Sequence, residues 1–208
     1  MKRILFPTMT SVVLASVFSM PSAFAAVEPA PVFVKRISDA LIARLVKERG
    51  TYKKNPAVLN QIVQDNIEPY VDFDGFARGV MGPYYRQATV QQRTSFAQTF
   101  RQSLIRTYAK GLAAYDNESY TIRPFIAGKD PSKAVVNMDF KTDTGTIVPV
   151  AYQLIQSSDS WKVRNLQLNG IDIGLTFRNQ FATAVQTNKN SLDLAIKNFI
   201  PSASTSGQ

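Results

Sequence analysis

The hydrophobic period of this chain changes at Ser119 and changes back after Ile173, and that double switch dictates its architecture. Between the two points apolar residues recur at every second position, the signature of strands with one buried face. Tyr120 and Ile122, with Ile126 beyond, alternate with Thr121 and Arg123, and Pro124 marks an edge or a bulge. Ala134, Val136, Met138 and Phe140 form the next run, and Asp143-Thr144-Gly145 turns the chain into Val148, Val150, Tyr152 and Leu154. Ser157-Ser158-Asp159 is a further turn before Trp161 and Val163, and Asn169-Gly170 a hairpin turn or a bulge before Ile171 and Ile173. Consecutive strands joined by short turns make an antiparallel sheet, so the expected class is α+β with helices packed on one side.

Helices flank the strands. Phe33, Ile37, Leu41 and Leu45 lie four apart, which predicts an amphipathic helix ended by Gly50. Asn55-Pro56 restarts the chain with a capping residue and a proline, and Leu59, Ile62, Val63, Ile67 and Tyr70 share the following face. A short helix carries Phe73, Phe76, Ala77 and Val80 up to Gly82-Pro83. Thr89 and Gln92 make a capping box at the head of the longest helix, whose ridge runs Phe96, Phe100, Leu104, Tyr108, Leu112, Tyr115. About 25 residues at 1.5 Å each give roughly 40 Å, enough to brace a sheet. Two helices close the chain, through Leu175, Phe177, Phe181 and Val185 and then Leu192, Ala195, Ile196 and Phe199.

The N-terminus reads as a secretory signal: Lys2-Arg3, an apolar stretch from Ile4 to Phe18, then Ala23-Phe24-Ala25. Residues 1–25 are therefore expected to be removed, residues 26–200 to form one domain, and residues 201–208 to be a disordered polar tail. Net charge is +9, or +7 without Lys2 and Arg3. An exported protein seldom meets nucleic acid, so anionic membrane surfaces or an acidic partner suit that charge better. No cysteine means no lipid tether and no disulfide, and no histidine means no Ser–His pair and no common metal ligand.

Carboxylates remain. Asp72 and Asp74 are two apart, a spacing that does not place them side by side on a helix; capping at Phe73 is their expected work. A lone Asp in an apolar pocket can still act as a base, so an enzyme on a small apolar substrate stays open, as does an adaptor with a filled core. The positive signal is an apolar surplus between the strands around Val136 and Val150 and the long helix. Periodicity does not say whether those side chains fill a core or line a hollow.

Two ordered sets of residues carry a resemblance. Glu68-Pro69-Tyr70-Val71-Asp72-Phe73 precedes Gly82-Pro83-Tyr84-Tyr85-Arg86-Gln87-Ala88-Thr89 and a long helix ending Leu112-Ala113-Ala114-Tyr115. Val148-Pro149-Val150-Ala151-Tyr152 precedes Trp161-Lys162-Val163 and Gly170-Ile171-Asp172-Ile173. In order and spacing they resemble the MlaC, or toluene-tolerance, family over nearly the whole mature chain. Asp172 stands where serine is usual and Asn165 where aspartate is common.

The resemblance implies an NTF2-like α+β fold in a periplasmic shuttle that needs no cofactor and catalyses nothing. Its cargo is phospholipid, moved between an MlaA-like outer-membrane lipoprotein complex and an MlaD-like component of an inner-membrane ABC transporter, which keeps the outer membrane asymmetric. Roughly 30 acyl methylenes at about 0.8 kcal/mol each set an upper bound near 24 kcal/mol for exposing the tails to water, so an escort is needed. The expected tail cavity lies between sheet and helices, lined by Val136, Met138, Val148, Val150, Tyr152, Leu154, Val163 and Ile171, with Phe100, Leu104 and Tyr108 behind. Tyr84, Tyr85 and Arg178 are the candidates for the mouth, as an aromatic rim and a cation for the headgroup phosphate.

Overall fold

The computed structural model describes residues 27–112, 119–142, 144–158 and 160–202. The signal segment, Tyr115, Asp143 and Asp159 lie outside that set, as do the side chains of Tyr108 and Leu112. Among the described residues no helix is long and apolar enough to cross a membrane.

The first helix, α1 (Ala30–Lys54), runs straight through Gly50. A mid-helix glycine costs about 1 kcal/mol, too little to stop a helix that is anchored by buried Leu45 and Tyr52 on either side of it. Asn55 ends it instead, extended at φ −133°, because the ring of Pro56 disfavours helical geometry in the preceding residue. The Asn55 side chain then accepts a hydrogen bond from the Ala57 N–H (3.2 Å) at the head of α2 (Ala57–Asn66). A single 3₁₀ turn, Glu68–Tyr70, leads to α3 (Phe73–Met81), capped by Asp72, whose Oδ1 accepts from Gly75 N–H at 2.9 Å. After Gly82, at φ +54°, come the short α4 (Tyr84–Gln87) and the long α5 (Val90–Leu112).

The capping box at α5 closes in both directions. Thr89 N–H donates to Gln92 Oε1 (2.9 Å) and Gln92 N–H to Thr89 Oγ1 (3.1 Å). Thr89→Ala is expected to cost about 1 kcal/mol, seen as a lower urea midpoint with an unchanged slope.

The sheet is an antiparallel meander in the order β1 (Ser119–Ile122), β2 (Lys133–Lys141), β3 (Ile147–Ser157), β4 (Ser160–Leu168), β5 (Ile171–Asp172). β1 is an edge strand that stops short of Pro124, so Ile126 is not part of it and stands 88% exposed. Asn169 (φ +49°) and Gly170 (φ +79°) turn β4 into β5, a pair of left-handed residues that suits Asn-Gly. Between β3 and β4 a bulge falls at Gln153/Leu154, so that Leu154 faces Val163 while Tyr152 faces Leu166.

Helix α1, rather than the long α5, lies over the sheet. Its fully buried Phe33 and Val34 pack with Val136, Leu154, Trp161 and Val163, and Trp161 Nε1 donates to Glu28 O at 2.8 Å. α5 packs instead on α2, α3 and α7 (Leu192–Asn198), reached across α6 (Ile173–Thr187). The reason is aromatic. Phe96 and Phe100 are drawn into a cluster with Phe76, Phe177, Phe181 and Phe199, with Phe96–Phe181 centroids 4.7 Å apart and Phe76–Phe100 edge-on at 5.2 Å. Of the residues expected as a polar tail, 203–208 lie outside the described set; Pro201 is buried, and Ser202 N–H donates to Gln180 Oε1 at 3.1 Å.

Candidate functional site

An apolar hollow of about 130 Å³ opens between α1, the end of α2 and the sheet. Ile37, Ser38 and Leu41 line it from α1, Asn66 from the last position of α2, Ile67, Tyr70 and Val71 from the chain that follows, and Tyr152, Val163 and Leu166 from β3 and β4. Its few polar groups have partners, and the Tyr70 hydroxyl accepts from Arg36 Nη1 (3.5 Å) outside the lining. The Tyr152 phenol is hydrogen-bonded to the Ser38 side chain; burial pushes its pKa up, the bond to Ser38 opposes the shift only partly, and the ring stays neutral. Asn66 Nδ2 donates to Ile62 O at 2.8 Å. No Asp, Glu, Lys or Arg belongs to the lining, so a carboxylate base has no place in this hollow among the described residues. The carboxylates adjacent to the lining in sequence are engaged elsewhere: Asp39 with Lys35 and Tyr120, Asp65 with Gln61, Glu68 with Arg101, and Asp72 as the cap of α3. The described residues also bring together no group of three acidic, Cys or His side chains able to hold a metal. Such a surface can receive alkyl groups and offers no chemistry to a polar one.

Residues 35–199 match the family model described as MlaC protein. The chain belongs to the MlaC family. It is 37% identical over 164 residues to the toluene tolerance protein ttg2D of Pseudomonas putida, a match that spans 78% of this chain and 76% of that one. It is 29% identical over 91 residues to the intermembrane phospholipid transport system binding protein MlaC of Haemophilus influenzae, covering 44% and 42% of the two chains. Its fold matches that of the phospholipid-binding protein from Ralstonia solanacearum, solved in complex with a phospholipid, with a TM-score of 0.71, 28% identity, and 80% of this chain and 92% of that one covered.

In this MlaC-family chain the residues expected in the cavity divide into groups. Tyr152 and Val163 line the hollow. Val136 and Leu154 are packed tight beside it, in the cluster under α1. Met138 and Val150, paired across β2 and β3, are buried outside that cluster, and Val148 is half-buried opposite Phe140. Ile171 is 41% exposed, at the start of the two-residue edge strand β5. Phe100 and Leu104 belong to the aromatic cluster, since α5 does not cover the sheet. None of Tyr84, Tyr85 and Arg178 borders the hollow. Tyr84 stands edge-on to Phe181 at 6.0 Å, Tyr85 lies between the guanidiniums of Arg78 and Arg93, and Arg178 Nε donates to Gly79 O at 2.7 Å. The α1 wall, Ile37 and Leu41, was visible as part of the Phe33–Leu45 stripe but carried no sign that it faces the strands. Leu166 was hidden by the bulge.

The two departures from the family pattern meet in space. Asn165 Nδ2 donates to Asp172 Oδ1 (2.9 Å), Asn165 Oδ1 accepts from Gly174 N–H (2.9 Å), and Asp172 Oδ1 caps α6 by accepting from Leu175 N–H (2.8 Å). Burial works against ionising Asp172, but the bonds from Asn165, Leu175, Gln167 and Gly174 outweigh it and hold the carboxyl below its usual range. Asn165→Asp sets two carboxylates together and is expected to cost about 1–3 kcal/mol at neutral pH. The pH dependence reverses sign. In the parent the depressed pKa gives stability that is lost as pH falls through it, whereas the raised pKa of the variant's pair makes stability recover as pH falls toward 4 to 5, around the ordinary carboxylate range. Adding Asp172→Ser to the variant restores most of the loss. Urea melts at several pH values check both statements.

Proposed function

We propose that this protein is a periplasmic phospholipid carrier that takes the acyl tails of its cargo into the hollow between α1 and the sheet. One observation carries the reading: the space between these layers is lined by apolar side chains and hydrogen-bonded polar ones, with no charge in the wall. At about 30 Å³ for a water-sized group, the hollow as it stands takes about four such groups, so tails of some thirty methylenes enter by parting the layers. The seam is suited to that, because Ile37, Leu41, Ile67, Tyr70 and Val71 are only half-buried, while the aromatic cluster under α5 and α6 holds the other end of the molecule rigid. The resemblance to the Ralstonia phospholipid-binding protein and to the Haemophilus transport protein supports the cargo class. Transit between an MlaA-like outer-membrane lipoprotein complex and an MlaD-like inner-membrane transporter component is the role this cargo suits, and the basic chain suits a negatively charged partner.

The test is direct. Mature protein purified without added lipid is denatured and extracted, and the extract is analysed by mass spectrometry. Phospholipid in near-stoichiometric amount is expected; a lipid-free extract from folded protein contradicts the reading.

A further inference from the structure

The walls of the hollow are not equal. The sheet side is held by ladder hydrogen bonds, and α1 by fully buried Phe33, Val34 and Leu45. The third wall is the strap from Ile67 to Asp72, whose 3₁₀ turn contains no buried residue. Polar ties pin it to the free edge of β4. Val71 forms an isolated parallel bridge with Val163, and Asp72 N–H donates to Val163 O at 2.9 Å. Lys162 Nζ donates to Pro69 O, and Arg164 holds Asp72 Oδ2 through Nε at 2.6 Å and Nη2 at 2.5 Å. Val71 lines the hollow on its inner side and, on its outer side, an open cleft of about 550 Å³ that Lys162 and Arg164 also line. The wall between alkyl space and a cleft of mixed charge, where Arg101, Lys162 and Arg164 stand among Glu68, Asp72 and Asp74, is therefore one residue thick.

We propose that this strap is the gate through which the lipid enters, and that Lys162 and Arg164, which latch it shut, take the cargo's phosphodiester when it opens. The inference rests on the carrier reading and adds the route and the headgroup site. A part-buried ion pair at the surface and single hydrogen bonds yield more readily than a buried aromatic helix face, so the layers part first at the strap. The Lys162 ammonium now rests on a neutral carbonyl and Arg164 on a half-exposed carboxylate. A phosphate offers Lys162 a charged oxygen in place of a neutral carbonyl, and offers Arg164 a bidentate replacement for the carboxylate it releases, so arrival of the headgroup compensates for release of the strap.

The native chain has no cysteine, so Val71→Cys/Val163→Cys introduces one pair only. Neighbouring strands lie about 4.8 Å apart, within the Cα range a disulfide spans. Exchange of a fluorescent phospholipid between protein and vesicles is measured with the variant oxidised and reduced, and bound lipid is extracted from both. The proposal expects equal occupancy in the two states and at least tenfold slower exchange when oxidised; equal exchange rates overturn the gate. Lipid-free extracts in both states overturn the carrier reading and the gate with it. For the headgroup site, Lys162→Gln/Arg164→Gln is loaded with phosphatidylglycerol and with the diacylglycerol of the same chains. The parent's preference for the phosphate-bearing lipid is expected to fall at least tenfold in the variant, and an unchanged preference overturns the assignment. Excess inorganic phosphate is expected to leave loading unchanged; if it blocks loading as fully as loss of the headgroup does, the cleft is a site for free phosphate and the headgroup assignment fails.

Discussion

Replacing Leu41 with glutamate is expected to empty the protein of lipid while leaving it folded. Leu41 is half-buried on α1 and lines the hollow, as does the neutral Ser38–Tyr152 pair, with Ser38 three residues before it on the same helix. Glutamate is as good a helix former as leucine, and a half-exposed site lets its carboxylate reach water in the empty protein, so stability falls by only about 1–2 kcal/mol. Acyl tails in the hollow take that escape away, and the charge then lies against alkyl groups with no partner, a penalty of several kcal/mol. Bound phospholipid, read by extraction and mass spectrometry, should drop more than tenfold at neutral pH. Because the loaded state disfavours the charged form, the pKa of Glu at position 41 is raised there, and retention should recover as pH falls below about 5. Undiminished occupancy at neutral pH would take Leu41 out of the wall.

Phe100→Ala is expected to do the opposite. Phe100 is fully buried, with ring centroids 5.2 Å from Phe76, 5.5 Å from Phe96 and 5.8 Å from Phe177. Truncation leaves a cavity where four elements meet, and about 3–5 kcal/mol of stability should be lost. Yet the lipid held per folded molecule should not change, because Phe100 does not line the hollow, which its cluster meets through Leu166. Chemical denaturation gives the first quantity and extraction from the folded fraction the second. The pair of variants separates core from wall: one loses lipid and keeps its fold, the other keeps lipid and loses stability.

Much of this architecture can be read from residue types because local rules and global fold agree. Thr89 with Gln92, Asp72 before α3, and Asn169-Gly170 each have a mechanism confined to a few residues, and the structure realises all three. What periodicity cannot supply is the partner of an apolar face. Phe33–Leu45 and Phe96–Tyr108 are ridges of the same kind, and nothing local says that the first covers the sheet while the second seeks the phenylalanines of α3 and α6. Even within one stripe the outcomes differ: Phe33 and Leu45 are fully buried, while Ile37 and Leu41 between them border open space. Strict alternation from Trp161 and Val163 would turn Asn165 and Gln167 inward. The bulge shifts the phase by one, so Leu166 and Leu168 face the interior and Asn165 is free to brace the α6 cap. The hollow arises where that shifted strand meets a helix stripe, a coincidence of two elements far apart in the chain.

Trp161, the single tryptophan, provides the most direct test of a tail-filled hollow. It is buried in the cluster beside the hollow, two residues from Val163 on the same face of β4. Its fluorescence is to be followed while the protein takes up phospholipid brominated along the acyl chains, with unbrominated lipid as reference. Tails lying between α1 and the sheet bring bromine against the indole and quench it strongly as uptake proceeds. Full uptake with Trp161 emission unchanged would place the tails elsewhere and contradict the account.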